Sequence, residues 1–131
     1  MATSCRQPTG NPAIMVVDDD LPIRQYMYHI LRRESYDVLM ADNAPEALAL
    51  LRSQQFSPDL LVTDFNMPDM NGIQLTRAVR EAYPDLPVLL VSGAFSISAS
   101  RYVNKNDGVY QLNKPFVADT LIKHIHRAIQ P

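Results

Sequence analysis

The sequence predicts an α/β fold in which five β–α units build one parallel sheet with helices on both faces. Two observations carry that expectation. Short continuous apolar runs recur along the chain, as strands covered on both sides require, and between them apolar residues fall at helical spacing. Strands that alternate with helices in this way pair in parallel, with right-handed crossovers.

The elements follow in order. Ala13 to Val17 (AIMVV) is the first buried strand, and it runs into Asp18-Asp19-Asp20. Ile23, Tyr26, Met27, Ile30 and Leu31 then mark a helix stripe. Asp20 is its natural N-cap, and Pro22 sits in the first turn, where a missing N–H does no harm. Tyr36 to Ala41 reads as the second strand, and Ala44, Ala47, Leu48 and Leu51 mark the second helix. Leu60 to Thr63 is another buried run, ending at Asp64. Leu75, Ala78, Val79 and Ala82 form a stripe after Gly72, and Pro87 to Ser92 is the fourth strand. Residues 96 to 105 are rich in Ser and thin in apolar positions, so the helix expected there is weak, short or mobile. Val109 to Asn113 is the last strand, ending at Lys114-Pro115, and Ala118, Leu121, Ile122, Ile125 and Ile129 give the final helix its apolar face.

Composition narrows the function classes. At 131 residues, with 47% hydrophobic and 20% charged residues, the chain is a single globular domain in size and make-up. The net charge of −2 and the lack of a basic run argue against nucleic-acid contact. No apolar run approaches the length of a membrane span. Residues 1–12 hold Pro8, Gly10 and Pro12 but no apolar stretch, so they read as a flexible tail rather than a signal peptide, with the domain at 13–131. The lone Cys5 has no internal partner and reads as an exposed tail thiol in a reducing, cytoplasmic setting. Asp outnumbers Glu eleven to three. Asp favours caps and turns, so carboxylates concentrate at element ends, where sites are built.

In doubly wound sheets, ligands sit beyond the carboxyl ends of the strands. The residues that end these strands are Asp18 and Asp19, Asp64, Ser92 and Lys114. Two carboxylates ~4–5 Å apart repel by roughly 3–4 kcal/mol at an effective dielectric of about 20. A third nearby makes this worse, so such a cluster calls for a cation. Hard oxygen ligands with open positions suit Mg²⁺ beside a phosphate. An Asp can itself accept a phosphoryl group, with the Lys114 ammonium and the Ser92 hydroxyl serving its oxygens. Asp18 to Asp20 taken alone could be no more than a capping cluster, and Ser92 and Lys114 gain meaning only in company. His29, His124 and His126 read as solvated or half-buried helix positions, and 124 and 126 are spaced so as not to face each other.

MVVDDDLPIR, LLVTDFNMPDMNG, VLLVSGA and LNKPF, in this order and spacing, resemble the response-regulator receiver domain of two-component signalling over about residues 13 to 130. The most specific block is DFNMPDMNG, similar to the family's D-x-x-M-P-x-x-x-G. The resemblance implies a flavodoxin-like sheet of strand order 2-1-3-4-5. It implies Asp64 as phosphoacceptor, and Asp18, Asp19, Asp64 and the Asn66 backbone carbonyl as the Mg²⁺ ligands. It also implies Ser92 and Lys114 as phosphoryl-binding residues, and Pro115 in a position often cis. The implied donor is a sensor histidine kinase or a histidine phosphotransfer protein, with slow self-hydrolysis afterwards. With no output domain in these residues, the expectation is a stand-alone shuttle or adaptor, or a receiver from a larger hybrid kinase.

One position departs from the family. Three residues before the lysine, where the family commonly places Tyr or Phe as a switch, stands Gln111. Tyr110 is one place off and so faces the other side of the sheet. Gln111 is expected to reach a backbone carbonyl, with activation read through residues 93 to 96 and the weak helix after them. Two rivals remain. A Mg²⁺-dependent phosphatase of haloacid-dehalogenase type would use Asp18-x-Asp20, but Pro22 stands where it needs Thr or Val, and only Asp119 follows Lys114 among acids. A receiver-like binding module without phosphorylation would be expected to have lost one or more of the five strand-end residues.

Overall fold

The computed structural model describes residues 10–53, 57–93 and 100–129. Five parallel strands form one sheet in the order β2-β1-β3-β4-β5. The strands are β1 (Ala13–Val17), β2 (Asp37–Ala41), β3 (Leu60–Asp64), β4 (Val88–Gly93) and β5 (Val109–Lys114). Among the described residues the α-helices are α1 (Leu21–Arg33), α2 (Ala44–Arg52), α3 (Gly72–Arg80) and α4 (Ala118–Ile129). The predicted fold class and strand order are both met.

Side-chain alternation along the strands divides the core in two. Ala13, Met15, Val17, Leu61, Val88, Leu90 and Val109 pack against α2 and α3, through Ala44, Ala47, Leu51, Ile73, Leu75 and Val79. Ile14, Val16, Leu60, Val62, Leu89, Val91 and Leu112 face α1 and α4, meeting Met27, Ile30, Leu31, Leu121 and Ile125. β1 and β3 lie inside the sheet with every residue buried, which is why their sequences are apolar without alternation. A one-residue slip of either strand would exchange its two faces, so burial on both sides fixes the register that aligns the strand ends.

Local signals set the helix starts. Asp20 caps α1, its carboxylate accepting from the Ile23 N–H at 3.3 Å, and Pro22 lies in the first turn, as expected. Asn71 caps α3 with a reciprocal pair: its side chain accepts from the N–H groups of Ile73 and Gln74, and the Gln74 side chain accepts from the Asn71 N–H. α3 ends at Arg80, so Ala82, assigned to that helix by its spacing, lies beyond it.

Two expectations fall partly outside the described residues. Residues 94–99 and Cys5 are not described, and of the helix expected over 96 to 105 the described portion after Ser100 is turn, with a β-bridge at Asn104 and a single 3-10 turn, Lys105–Asp107. Few apolar residues in that stretch leave a helix little to bury. Of the tail expected over 1–12, residues 1–9 are not described, and the Pro12 carbonyl accepts from the Asp37 N–H at 3.0 Å, continuing the β1–β2 ladder.

Gly72 opens α3 against the end of β3. A Cβ built there would lie 2.8 Å from the Asp64 carbonyl oxygen and 3.1 Å from the Phe65 Cα, both backbone atoms that cannot turn aside. The Gly72 N–H also donates to the Phe65 carbonyl at 2.8 Å. Gly72→Ala is therefore expected to destabilise the protein by about 1–3 kcal/mol through overpacking, read as a lower urea midpoint at an unchanged slope. An unchanged midpoint would show that α3 shifts freely from β3.

Candidate functional site

The carboxyl ends of β1, β3 and β5 bring Asp18, Asp64 and Lys114 together, and Asp19 joins them from the residue after Asp18. Carboxylate oxygens of Asp18, Asp19 and Asp64 lie within 4.8 Å of one another. The Lys114 ammonium sits 3.3 Å from Asp18 Oδ2 and 3.5 Å from Asp64 Oδ1. Asp18 is fully buried and Asp64 nearly so, whereas Asp19 is exposed at the rim.

Each acid is held differently. The Asp20 N–H donates to Asp18 Oδ1 at 2.9 Å, while Asp18 Oδ2 is buried and makes no hydrogen bond among the described residues, its contact with Lys114 being one of charge. The Asn66 N–H donates to Asp64 Oδ1 at 3.4 Å. Burial pushes both carboxyls above their usual range. Asp64 rises to about 6, driven first by burial and then by the Asp18 charge, with Lys114 and the Asn66 N–H opposing. Asp18 is raised by burial, partly offset by the Asp20 N–H and Lys114.

A buried carboxylate oxygen faced by one ammonium at 3.3 Å, inside a cluster of three acids, fits a divalent cation with oxygen ligands. Asp18, Asp19 and Asp64 have the chemistry to hold it. Asp20, third in the acidic run, is occupied as the α1 cap, so the run divides into two site residues and one structural one.

Ser92 is fully buried at the end of β4. Its hydroxyl donates to Asn113 Oδ1 at 3.4 Å and accepts from Gln111 Nε2 at 2.9 Å. Among the described residues Gln111 thus bonds side chains rather than a backbone carbonyl, because the β4–β5 register places Gln111 opposite Leu90 and Asn113 opposite Ser92 on one face. Tyr110 pairs with Leu89 and packs on the α1/α4 face, as its offset predicts. The Lys114-Pro115 peptide is cis.

Some contributors had no sequence signal. Arg24 reaches back one turn and donates to the Asp18 carbonyl at 2.6 Å, steadying the backbone between the two site acids. Phe65, beside Asp64, is buried with its ring 6.2 Å from that of Tyr102. An arginine in a first helical turn and an aromatic after a strand are too common to single out. The histidines stay apart from the site: the His124 ring nitrogen pairs with the Thr120 carbonyl, and His126 lies against Tyr36.

Residues 14–126 match the family described as response regulator receiver domain. This chain belongs to that family. It is 30% identical over 116 residues to the response regulator receiver protein CpdR of Brucella abortus, covering 88% of this chain and 95% of that one. It is 34% identical over 116 residues to the DNA-binding transcriptional regulator NtrC of Proteus hauseri, covering 88% of this chain but 24% of the regulator. The chain thus spans about a quarter of such longer relatives. Among solved structures, chemotaxis protein CheY4 of Vibrio cholerae superposes with a TM-score of 0.79 at 32% identity, over 91% of this chain and 99% of CheY4. The receiver is a phosphoacceptor domain of two-component signalling, and histidine kinases phosphorylate such domains. A haloacid-dehalogenase phosphatase gains no support from these likenesses. Among the described residues no helix is long and apolar enough to cross a membrane.

The raised Asp64 carboxyl gives a pH signature. Well below the ordinary value of 3.8, at about pH 3 and lower, it is protonated in the folded and unfolded chains alike and has no effect on stability. As pH rises past the ordinary value of 3.8 the unfolded chain ionises first, so the fold loses stability until Asp64 ionises near 6, and the deficit is constant above that. In EDTA, Asp64→Asn is expected to be more stable than the wild type by roughly 1–3 kcal/mol at pH 8, with the difference shrinking below pH 6 and gone near pH 3. Chemical denaturation at the two pH values measures this, and a variant less stable at pH 8 contradicts it.

Proposed function

We propose that this receiver takes a phosphoryl group onto Asp64 from the phosphohistidine of a sensor histidine kinase or a histidine phosphotransfer protein. We further propose that the domain comprises residues 13–131 and works in the cytoplasm, without contact to nucleic acid or membrane. The observation that carries the reading is the placing of the Lys114 ammonium and the Asn66 N–H on one oxygen of Asp64, Oδ1. Oδ2 is then the oxygen left for a new bond.

In the transfer, a lone pair of Asp64 Oδ2 forms the O–P bond as the P–N bond to the imidazole breaks, and the electron pair of that bond stays on the leaving ring. Catalysis of this kind is mostly positioning and charge. Burial raises the basicity of Asp64, and Lys114 offers its charge to the phosphoryl oxygens. The Ser92 hydroxyl is the remaining donor for those oxygens once it turns from β5. Asp18, Asp19, Asp64 and the Asn66 carbonyl would hold Mg²⁺, which would supply positive charge to the phosphoryl oxygens. Without it, the Asp18 and Asp64 charges repel an incoming phosphate. Slow loss of the phosphoryl group to water resets the domain, so turnover as an enzyme is not its role.

Incubation with acetyl phosphate and Mg²⁺ is expected to add one phosphoryl group, read by intact mass, and the adduct is expected to be lost in Asp64→Asn and in EDTA. Labelling that survives Asp64→Asn contradicts the assignment of the acceptor, and full labelling in EDTA contradicts the role of the metal. Sustained turnover of a generic phosphate monoester would instead favour the phosphatase reading.

A further inference from the structure

The Ser92 hydroxyl has one proton, and that proton serves one acceptor at a time. In the structure its acceptor is Asn113 Oδ1, and its lone pair is taken by Gln111 Nε2. The same Gln111 amide also donates to Asn113 Oδ1 at 3.1 Å, closing a triangle of three side chains on one face of β4 and β5. On its other side, Gln111 Oε1 accepts from the Ser100 hydroxyl at 3.3 Å. Among the described residues, none of the hydrogen bonds of Ser92 reaches Asp64 or Lys114.

We propose that Gln111, together with Asn113, is a positioning residue that clasps the Ser92 hydroxyl in a resting orientation and sets how readily it turns to a phosphoryl group on Asp64. This rests on Asp64 being the phosphoacceptor. For Ser92 to donate to a phosphoryl oxygen, its proton must leave Asn113 Oδ1. The exchange strands no buried acceptor, because Asn113 is exposed and its oxygen is open to water. A phenylalanine at position 111 could neither donate to Ser92 nor accept from Ser100. The resting state here is therefore held by directed hydrogen bonds. Because Ser100 hangs on the same amide, a turn of Ser92 also loosens or re-aims the chain that leads into Tyr102 and Val103.

The full chain in saturating Mg²⁺ is titrated with beryllofluoride, a mimic of the acyl phosphate, and binding is followed by amide NMR. One neutral hydrogen bond shifts such an equilibrium by roughly twofold to tenfold. Gln111→Met keeps the length and loses the donor, so beryllofluoride is expected to bind tighter by about that factor. Asn113 is exposed, so Asn113→Ala leaves the core intact and is expected to move affinity in the same direction. Both effects are expected to vanish in a Ser92→Ala background, and the Gln111 side-chain amide resonance is expected to shift on saturation only when Ser92 is present. Weaker or unchanged binding in both variants, or an equal effect with and without Ser92, overturns the clasp. If the wild type takes up no beryllofluoride, the phosphoacceptor reading falls and the clasp with it.

Discussion

Two buried carboxylates share one ammonium at the carboxyl edge of the sheet, and the rest of the site is arranged around that imbalance. Asp18 and Asp64 are both withdrawn from water, and Lys114 lies within 3.5 Å of each. One positive charge cannot neutralise two negative ones, with a third acid at the rim. Burial raises the affinity of both carboxyls for protons, the Asp18 charge adds to it at Asp64, and the deficit makes the cleft receptive to a cation. It also makes phosphoryl uptake depend on that cation, because an uncompensated site repels what it is meant to bind.

The packing exists to hold those charges where they are. β1 and β3 are buried on both faces and paired from Ile14 opposite Leu60 to Val17 opposite Thr63, so Asp18 and Asp64 emerge side by side from neighbouring strands. Arg24 fixes the backbone at Asp18, and Gly72 lets α3 begin directly against the backbone of Asp64. The strain of a crowded charge site is thus borne by a core buried on both faces, while Ser92, Gln111 and Asn113 at the end of β4 and in β5 retain a set of exchangeable hydrogen bonds.

Much of this was legible in the sequence because a parallel sheet writes its core as continuous apolar runs. AIMVV and LLVT followed by acids could be placed at one edge without any structure, and Asp20 could be separated from Asp18 and Asp19 as a cap by Pro22 and the stripe that follows. The one-residue offset between Tyr110 and Gln111 was enough to put them on opposite faces. What stayed hidden depends on contacts between distant segments. Nothing at position 24 announces a bond to a carbonyl six residues earlier, and the partners of Gln111 follow from the β4–β5 register rather than from glutamine itself. The segment after β4 was the weakest reading for a physical reason, since sparse apolar residues leave spacing with nothing to report.

The central claim, that uncompensated charge at the edge of β1 and β3 defines the site, is tested most directly by following the Asp carboxyl carbons by NMR through a pH titration of the metal-free protein, and again in Mg²⁺. The account predicts that Asp64 titrates near pH 6 without metal and well below that with it. An Asp64 carboxyl that titrates near 3.8 in the metal-free protein, unmoved by Mg²⁺, would contradict it.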